Sequence, residues 1–285
     1  MSAKVRTTGQ RDELSSQPLM DAAPFWRCFT ILAGRGGIGK TLTAMLLTVA
    51  LLQKKRKPKI LQADIQTRLQ ALFPDFTVNI DIDQLENMEN DPLALARAFS
   101  AIPRTVRECA RDRSDLVIDT AATWHLQVIR YAAEIGLGRK IADLGGQLTF
   151  LLPVSADIDA ISLAFDTARK IEEVISPAEI VFIKNEYPAP VDFNLDAVRS
   201  AYGEGEIRRL LDRHRQIRLA AINRQIWGPF ERANLSALDV ISAEPDMLTS
   251  ITDSDIDTVE LMQARVETWM VSFTRELHPL LQFKK

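Results

Sequence analysis

A glycine-rich loop near the amino terminus constrains this chain more than any other feature. The loop runs from Gly34 to Thr41, reads GRGGIGKT and completes the pattern G-x-x-x-x-G-K-[S/T]. Glycines in such a loop allow consecutive backbone N–H groups to turn inward around a phosphate. Lys40 can then reach the β- and γ-phosphates, and the Thr41 hydroxyl can ligate Mg²⁺. The loop therefore predicts a nucleoside triphosphate site.

The residues on either side of the loop support this prediction. Residues 28–33 are typical of a short buried strand that enters the loop, and residues 41–53 are typical of a nearly all-apolar helix that leaves it. Strand, glycine loop and helix form the required arrangement, in which the positive end of the helix dipole faces the phosphate. The alternative is a glycine-rich turn without a ligand, which leaves the positions of Lys40 and Thr41 unexplained.

Strand-like and helix-like patterns alternate along most of the remaining chain. Further strands are predicted at residues 60–63, 115–119, 147–153, 179–184 and 216–222. Helices are predicted within residues 91–112 and at residues 123–135, 158–175, 206–213 and 255–277. This alternation predicts an α/β fold with a doubly wound, mainly parallel sheet and helices on both faces. A length of 285 residues with 46% apolar content fits one such domain, placed at residues 25–285.

Several other classes of protein are not favoured. Two cysteines and three scattered histidines offer neither a disulfide framework nor a metal-binding spacing. No segment reaches the run of about 18 apolar residues expected of a membrane span. Residues 1–24 lack the apolar stretch of a secretory signal and are predicted to be a disordered lead-in, which favours a cytoplasmic protein. The segment of residues 73–92 is rich in acidic residues and is predicted to form a mobile, irregular surface loop.

Two aspartates follow predicted strands and are candidates for the chemistry of the site. Asp119 ends the apolar segment LVID, where a strand beside the loop strand can supply an acid close to Mg²⁺. Asp64 follows the strand at residues 60–63, which places it at the edge of the sheet where ligands of open α/β folds bind. Asp64 can orient an attacking water, or it can simply cap the next helix.

In these features the chain resembles the ParA/MinD family of deviant Walker A ATPases, over roughly residues 28–240. The loop GRGGIGKT resembles the family's KGGxGKT, KILQADIQ resembles its segment IDxDPQ, and DLVIDTAA resembles its segment IDTPP. The later segments FLLPVSADIDAISLAFDTARKIEEV and IVFIKNEY resemble the strand–helix–strand that follows in the family. In this alignment Asn185 takes the place of an asparagine that contacts the base, although Asn after a strand is also a common turn residue.

The resemblance implies a set of ligands and residue roles. Family members bind ATP and Mg²⁺, form a homodimer when ATP is bound, and hydrolyse ATP slowly, usually when a protein partner stimulates them. Lys40, Asp64 and Arg35 are the catalytic candidates, and Mg²⁺ is assigned to Thr41, with Asp119 in its second coordination shell. The nucleotide-binding candidates are Gly34, Arg35, Gly36, Gly37, Ile38, Gly39, Lys40, Thr41, Leu42 and Asn185.

Two departures from the family pattern bear on activity. The signature lysine, which reaches the phosphates of the partner subunit, is Arg35 here. Arginine keeps the charge, but it is longer and planar. The first acid of IDxDPQ is Gln62 and the proline is Ile65, so only Asp64 remains. We therefore expect hydrolysis that is slow, altered or dependent on a partner.

Two surfaces could select a partner. Five arginines are candidates for contacts with DNA phosphates, or else form a solvated face paired with nearby acids; they are Arg208, Arg209, Arg213, Arg215 and Arg218. The apolar tail with terminal lysines is compatible with an interfacial membrane helix. However, the spacing of Val266, Trp269, Met270 and Phe273 favours packing against the sheet.

The favoured function is an ATP-switched dimer in the partition of plasmid or chromosomal DNA, or in the positioning of a conjugation or other macromolecular complex. Two alternatives stay open. One is a nucleotide-binding adaptor with little turnover, which Arg35 and Gln62 support. The other is an ATP-dependent small-molecule synthetase or kinase on the same fold, for which the sequence offers no acceptor motif.

Overall fold

The computed structural model describes residues 23–64, 66–81, 91 and 93–284. These residues contain a seven-stranded sheet in the order β3-β2-β4-β1-β5-β6-β7, and every strand pairing is parallel. The strands are β1 (Trp26–Ile31), β2 (Lys59–Ala63), β3 (Thr77–Asn79), β4 (Leu116–Thr120), β5 (Gly146–Val154), β6 (Glu179–Asn185) and β7 (Arg215–Leu219). The prediction of a doubly wound parallel sheet is therefore confirmed.

Helices connect the strands and cover both faces. The first seven are α1 (Lys40–Gln53), α2 (Arg68–Leu72), α3 (Ala94–Ala98), α4 (Ala101–Asp112), α5 (His125–Glu134), α6 (Leu137–Asp143) and α7 (Ile158–Val174). The remaining six are α8 (Asp196–Tyr202), α9 (Glu204–Arg213), α10 (Arg224–Arg232), α11 (Ala237–Ser242), α12 (Pro245–Thr252) and α13 (Ile256–Leu277). Short 3₁₀ turns precede α5 at Ala122–Trp124 and follow α13 at His278–Leu280.

Two apolar layers hold the helices against the sheet, because alternate strand residues point to opposite faces. On β1, Cys28 joins the layer that faces α4 to α9, whereas Phe29 and Ile31 join the layer that faces α1 and α10 to α13. All three side chains are fully buried. The loop between β1 and α1 consequently starts from a strand in the middle of the sheet that is covered on both sides.

The region around residues 73–92 differs from its prediction. Thr77–Asn79 forms β3 and pairs with β2 at the edge of the sheet, so the expectation of irregular structure is wrong for these residues. The Thr77 hydroxyl donates to the carbonyl oxygen of Phe73 at 2.8 Å, which fixes the turn before the strand. Three residues are too short to show an alternating pattern in the sequence. Residues 82–90 and 92 lie outside the described residues, as do residues 1–22 of the predicted lead-in.

The carboxyl-terminal helix α13 packs as its spacing predicts. Val266, Trp269, Met270 and Phe273 are buried against β7, α1 and the neighbouring helices. The Trp269 indole N–H also donates to the carbonyl oxygen of Ala220 at 2.8 Å. These four apolar residues of the tail are therefore part of the core. Within the described part of the chain, no helix is both long and apolar enough to cross a membrane.

Candidate functional site

The candidate residues meet at the carboxyl ends of three adjacent strands. Asp119 on β4 lies opposite Ile31 on β1 and opposite Gln62 on β2. Because parallel strands end at the same edge of a sheet, this register places the loop after β1 beside Asp119 and Asp64. The fold therefore brings together residues that are far apart in the sequence.

The loop reaches α1 through a left-handed turn that only glycine adopts easily. Gly39 is the N-cap of α1 with φ 95°, and a Cβ on it would lie 2.7 Å from Nδ2 of Asn185. A side chain at this position is therefore excluded both by backbone conformation and by space. The first backbone N–H groups of the 14-residue helix α1 point back towards the loop, as phosphate binding requires.

Lys40 is buried at the base of the loop, with 7% of its surface exposed. Its Nζ donates to the carbonyl oxygen of Arg35 at 2.9 Å, so the lysine spans the loop from end to end. Burial lowers the pKa of Lys40, and the carboxylates of Asp119 and Asp64 oppose this shift. Within the described part of the chain this ammonium has one acceptor, which is neutral, so it is well suited to bind additional negative charge.

Thr41 and Asp119 form the contact expected of a Mg²⁺ site. The Thr41 hydroxyl donates to Oδ2 of Asp119 at 3.0 Å. Asp119 is completely buried, and its Oδ1 has no hydrogen-bond partner among the described residues. Burial raises the pKa of Asp119 to about 7, the Thr41 hydrogen bond lowers it, and the charge of Asp64 raises it. An orphaned carboxylate oxygen beside a hydroxyl is a donor set that fits Mg²⁺.

Asp64 lies in a short turn after β2, where its Oδ1 accepts a hydrogen bond from the backbone N–H of Gln66 at 3.0 Å. The N-cap of the next helix is Thr67, so Asp64 does not cap α2. Asp64 follows the last residue of β2 directly, and its charge raises the pKa values of both Lys40 and Asp119.

Gln62 accounts for the shape of this turn, a role that the sequence pattern alone did not reveal. Its Nε2 donates to the carbonyl oxygen of Gln66 at 2.7 Å, and its Oε1 accepts from the backbone N–H of Gln70 at 3.2 Å. A carboxylate could accept the second hydrogen bond, but it could not donate the first. The side chain is completely buried. Gln62 therefore has a structural role in this turn.

Arg35 is held by carboxylates of its own chain. Its Nη1 lies 2.5 Å from Oδ1 of Asp157 and 3.5 Å from Oδ2 of Asp159. Asp157 is also the N-cap of α7, because its side chain accepts the backbone N–H groups of Asp159 and Ala160. The Arg35 side chain is 44% exposed, so it lies at the surface of the site rather than inside it.

Asn185 is placed against the loop by the end of β6. Its Nδ2 donates to the carbonyl oxygen of Ile38 at 3.1 Å, and its Oδ1 accepts from the backbone N–H of Tyr187 at 3.3 Å. Both ends of the amide are therefore used within the protein, and Asn185 is 6% exposed. Leu42 in the first turn of α1 is partly buried against the apolar layer on that face.

The arginines proposed as a DNA surface are all engaged in ion pairs. Arg209 and Arg213 both contact Glu172, at 3.1 and 3.0 Å, and Arg218 contacts Glu186 at 2.7 Å. Arg208 and Arg215 form longer pairs, with Asp212 at 3.7 Å and Glu179 at 3.9 Å, respectively. This stretch thus presents less free positive charge than its sequence indicates.

The parallel sheet and the glycine loop that joins its central strand β1 to α1 define the α/β fold of P-loop nucleotide-binding proteins. No protein-family model and no curated protein sequence matches the chain. The most informative comparisons are therefore with solved structures.

Solved structures similar to this chain include the septum site-determining protein MinD from Pyrococcus horikoshii OT3 in complex with Mg-ADP, at 14% identity and a TM-score of 0.49, over 90% of this chain and 97% of that one. Apo McdA from Cyanothece is 12% identical with a TM-score of 0.47, and the match covers 88% of this chain and 99% of that one. A chain of the MinC:MinD complex from Aquifex aeolicus is 16% identical to this chain with a TM-score of 0.42, and the match covers 84% of this chain and 96% of that one. With identities this low and TM-scores below 0.5, these likenesses carry no conclusion about function.

Proposed function

We propose that the protein is an ATPase of the ParA/MinD type, which binds ATP with Mg²⁺ and hydrolyses it slowly. One observation carries this proposal: the hydroxyl of Thr41 is hydrogen-bonded to Asp119, whose other oxygen is buried without a partner. An unsatisfied buried carboxylate costs free energy in the isolated chain, so it is expected where a ligand completes the site.

The chain's own residues divide the work of the site. The loop backbone and Lys40 would hold the phosphates. Thr41 would bind Mg²⁺ directly, and Asp119 would bind it through the second coordination shell. Mg²⁺ would neutralise charge that develops on the phosphate oxygens. Asp64 would orient the attacking water, since it lies beside the loop in a turn that Gln62 fixes.

Arg35 would link the nucleotide to a homodimer. In the single chain it is paired with Asp157, and in the dimer it would contact phosphates of the partner subunit instead. The ion pair with Asp157 is half-exposed, so breaking it costs little free energy. The bidentate contact with phosphate that replaces it is stronger. The switch works only if ATP binds the dimer more tightly than the monomer.

The cellular role proposed for this switch is the partition of plasmid or chromosomal DNA, or the positioning of a conjugation or other macromolecular complex, with a protein partner that stimulates hydrolysis. A nucleotide-binding adaptor with little turnover is the second candidate. It is favoured by Gln62, which stands where the family has an acid, and by the hydrogen bond that engages Asp64 within its own turn.

The two candidates are separated by measuring oligomeric state and phosphate release on the same samples. Sedimentation velocity with Mg-ATP should show a dimer, and with Mg-ADP a monomer. Asp64→Ala should retain the ATP dimer and lose turnover, whereas Asp75→Ala, an exposed aspartate before β3, should behave like the wild type. A dimer without measurable turnover in the wild type would support the adaptor. Absence of nucleotide binding would contradict both.

A further inference from the structure

The imidazole ring of His125 packs against Gly34, the first residue of the loop. A Cβ on Gly34 would lie 3.1 Å from both Cε1 and Nε2 of His125, and 3.5 Å from Cδ2 of Leu163. By contrast, a Cβ on Gly36 would meet nothing within 4 Å. The φ angle of Gly34 is outside the left-handed region, so it is the close contact with the His125 ring, and not the backbone conformation, that disfavours a side chain here.

The other side of the ring fixes its orientation. Nδ1 of His125 lies 2.7 Å from the carbonyl oxygen of Ala122, in the short turn between β4 and α5. Because a carbonyl oxygen only accepts hydrogen bonds, Nδ1 carries the hydrogen. The Nε2–Cε1 edge of the ring is then directed at Gly34.

The segment from β4 to α5 therefore contacts both ends of the glycine loop. Asp119 holds Thr41 at the end of the loop, and His125 packs against Gly34 at its start. Arg35 follows Gly34 directly, and its carbonyl oxygen accepts the hydrogen bond from Lys40. A change in the position of the ring would thus move the first half of the loop, including Arg35, relative to the second half.

We propose that His125 is a positioning residue for ATP hydrolysis: its ring holds Gly34, and through it Arg35, in the arrangement that turnover requires. This inference rests on the proposed ATPase function. Lys40 and Thr41, which would bind the β-phosphate and Mg²⁺, lie in the other half of the loop. The loss of the ring should therefore affect turnover of ATP far more than binding of ADP.

The first test compares single variants. His125→Ala should lower kcat about tenfold and change the Kd for Mg-ADP less than about twofold. His125→Asn keeps a donor for the carbonyl oxygen of Ala122 but lacks the ring, so it should retain the melting temperature of the wild type and the low kcat of His125→Ala. His278→Ala, an exposed histidine after α13, is the matched control and should leave both quantities unchanged.

The second test is a double-mutant cycle that uses the short contact itself. Gly34→Ala places a methyl group against the ring and should also lower kcat, by about fivefold. In the double variant with His125→Ala the methyl group has room, so kcat should be no lower than in His125→Ala alone. Purely multiplicative losses would overturn the proposed coupling.

The outcomes also separate this inference from the proposed function. If the wild type neither binds nor hydrolyses ATP, the proposed function fails. If the wild type hydrolyses ATP and both His125→Ala and Gly34→Ala match its kcat, the function stands and the positioning role is wrong. An equal loss in ADP affinity and kcat would show that the ring only supports the fold of the loop.

Discussion

Strand β4 has a buried aspartate at each end, and the two differ in their partners. Asp115, just before the strand, accepts hydrogen bonds from the backbone N–H of Arg27 and from the guanidinium of Arg56, the latter at 2.7 and 3.2 Å. Asp119 accepts one side-chain hydrogen bond, from Thr41, and leaves Oδ1 without a partner among the described residues. Both side chains are completely buried, and burial raises the pKa of both.

The cations at the two ends of the sheet show the same difference. At the amino end, Arg27 is paired with Glu179 at 2.8 Å and also donates to Thr149. At the carboxyl end, the carbonyl oxygen of Arg35 is the only hydrogen-bond acceptor of Lys40 Nζ among the described residues. Arg27 thus contacts a carboxylate, although its Nε has no hydrogen-bond partner among the described residues, whereas no carboxylate of the described residues lies within ion-pair distance of Lys40. The comparison therefore favours the carboxyl end of the sheet as the candidate functional site.

The largest effect is expected from Lys40→Ala. Without the ammonium group the loop should bind Mg-ATP at least about 100-fold more weakly, because a charge-assisted contact with phosphate is lost in a buried site. Lys59→Ala is the control, since Lys59 lies at the amino end and pairs with Glu108 and Asp112 at the surface. Isothermal titration calorimetry measures both affinities. Equal losses in the two variants would contradict the distinction between the two ends.

The two aspartates should respond in opposite ways to replacement by asparagine. Asp115→Asn leaves the Arg56 guanidinium without its carboxylate and should lower the free energy of unfolding by about 3 kcal/mol. Asp119→Asn removes an unsatisfied carboxylate and should not destabilise the protein without ligand at pH 8, but should remove the additional stabilisation that Mg²⁺ gives to the ATP complex. Urea unfolding without ligand, with ATP and with Mg-ATP measures both. A destabilised Asp119→Asn would indicate that Asp119 is structural.

The pH dependence of the free energy of unfolding should reveal the raised pKa of Asp119. Burial raises the pKa of Asp119 in the folded protein to about 7, above the 3.8 of a free aspartate side chain. The protonated form is therefore favoured by folding, so this contribution is complete below pH about 4 and is lost as the pH rises through about 7. Between pH 5 and 8, the free energy of unfolding of the wild type should fall by about 3 kcal/mol relative to that of Asp119→Asn. Parallel curves would contradict this shift.

Gln62→Glu should have a smaller effect. The carboxylate can accept from Gln70 but cannot donate to the carbonyl oxygen of Gln66, which would cost about 1 kcal/mol of stability and loosen the turn that carries Asp64. We expect kcat to fall about threefold, because the orientation of Asp64 is less well fixed. Urea unfolding and phosphate release measure the two effects. A rise in kcat would show instead that an acid at this position serves hydrolysis.

The smallest effect is expected at the paired arginines of the carboxyl-terminal half. Arg208→Gln together with Arg213→Gln should change the retention of random duplex DNA in low salt by less than about threefold, since both arginines are already paired with acids. Co-sedimentation with ATP and with ADP measures the retention. A loss of ATP-dependent retention would show that the ion pairs with Asp212 and Glu172 open to bind DNA.

The parts of the molecule that follow from local sequence were predictable. The glycine loop, the strand that enters it and the helix that leaves it are contiguous, and the six longer strands have apolar patterns. The position of Asp119 beside Thr41 could be anticipated because a strand next to the loop strand ends in this acid. The short helices α8, α10, α11 and α12 were not predicted, since each has only six to nine residues.

The contacts that complete the site depend on tertiary structure. Nothing in the sequence pairs Arg35 with Asp157, more than 120 residues away, or places His125 on Gly34. The ion pair of Arg209 with Glu172 likewise joins α9 to α7, so the charge of the arginine cluster could not be judged from its own segment. Gln62 stood out in the sequence because the family pattern has an acid at this position. Its role became clear only from its hydrogen bond to Gln66 in the turn that follows β2.

The central claim, that the carboxyl end of β4 is completed by a magnesium nucleotide, is tested most directly by calorimetric titration of ATP into the wild type and into Asp119→Ala, with Mg²⁺ and with EDTA. We predict that Mg²⁺ strengthens binding to the wild type at least about tenfold and gives no gain in Asp119→Ala. The same gain from Mg²⁺ in both proteins, or no binding of ATP to the wild type, would contradict it.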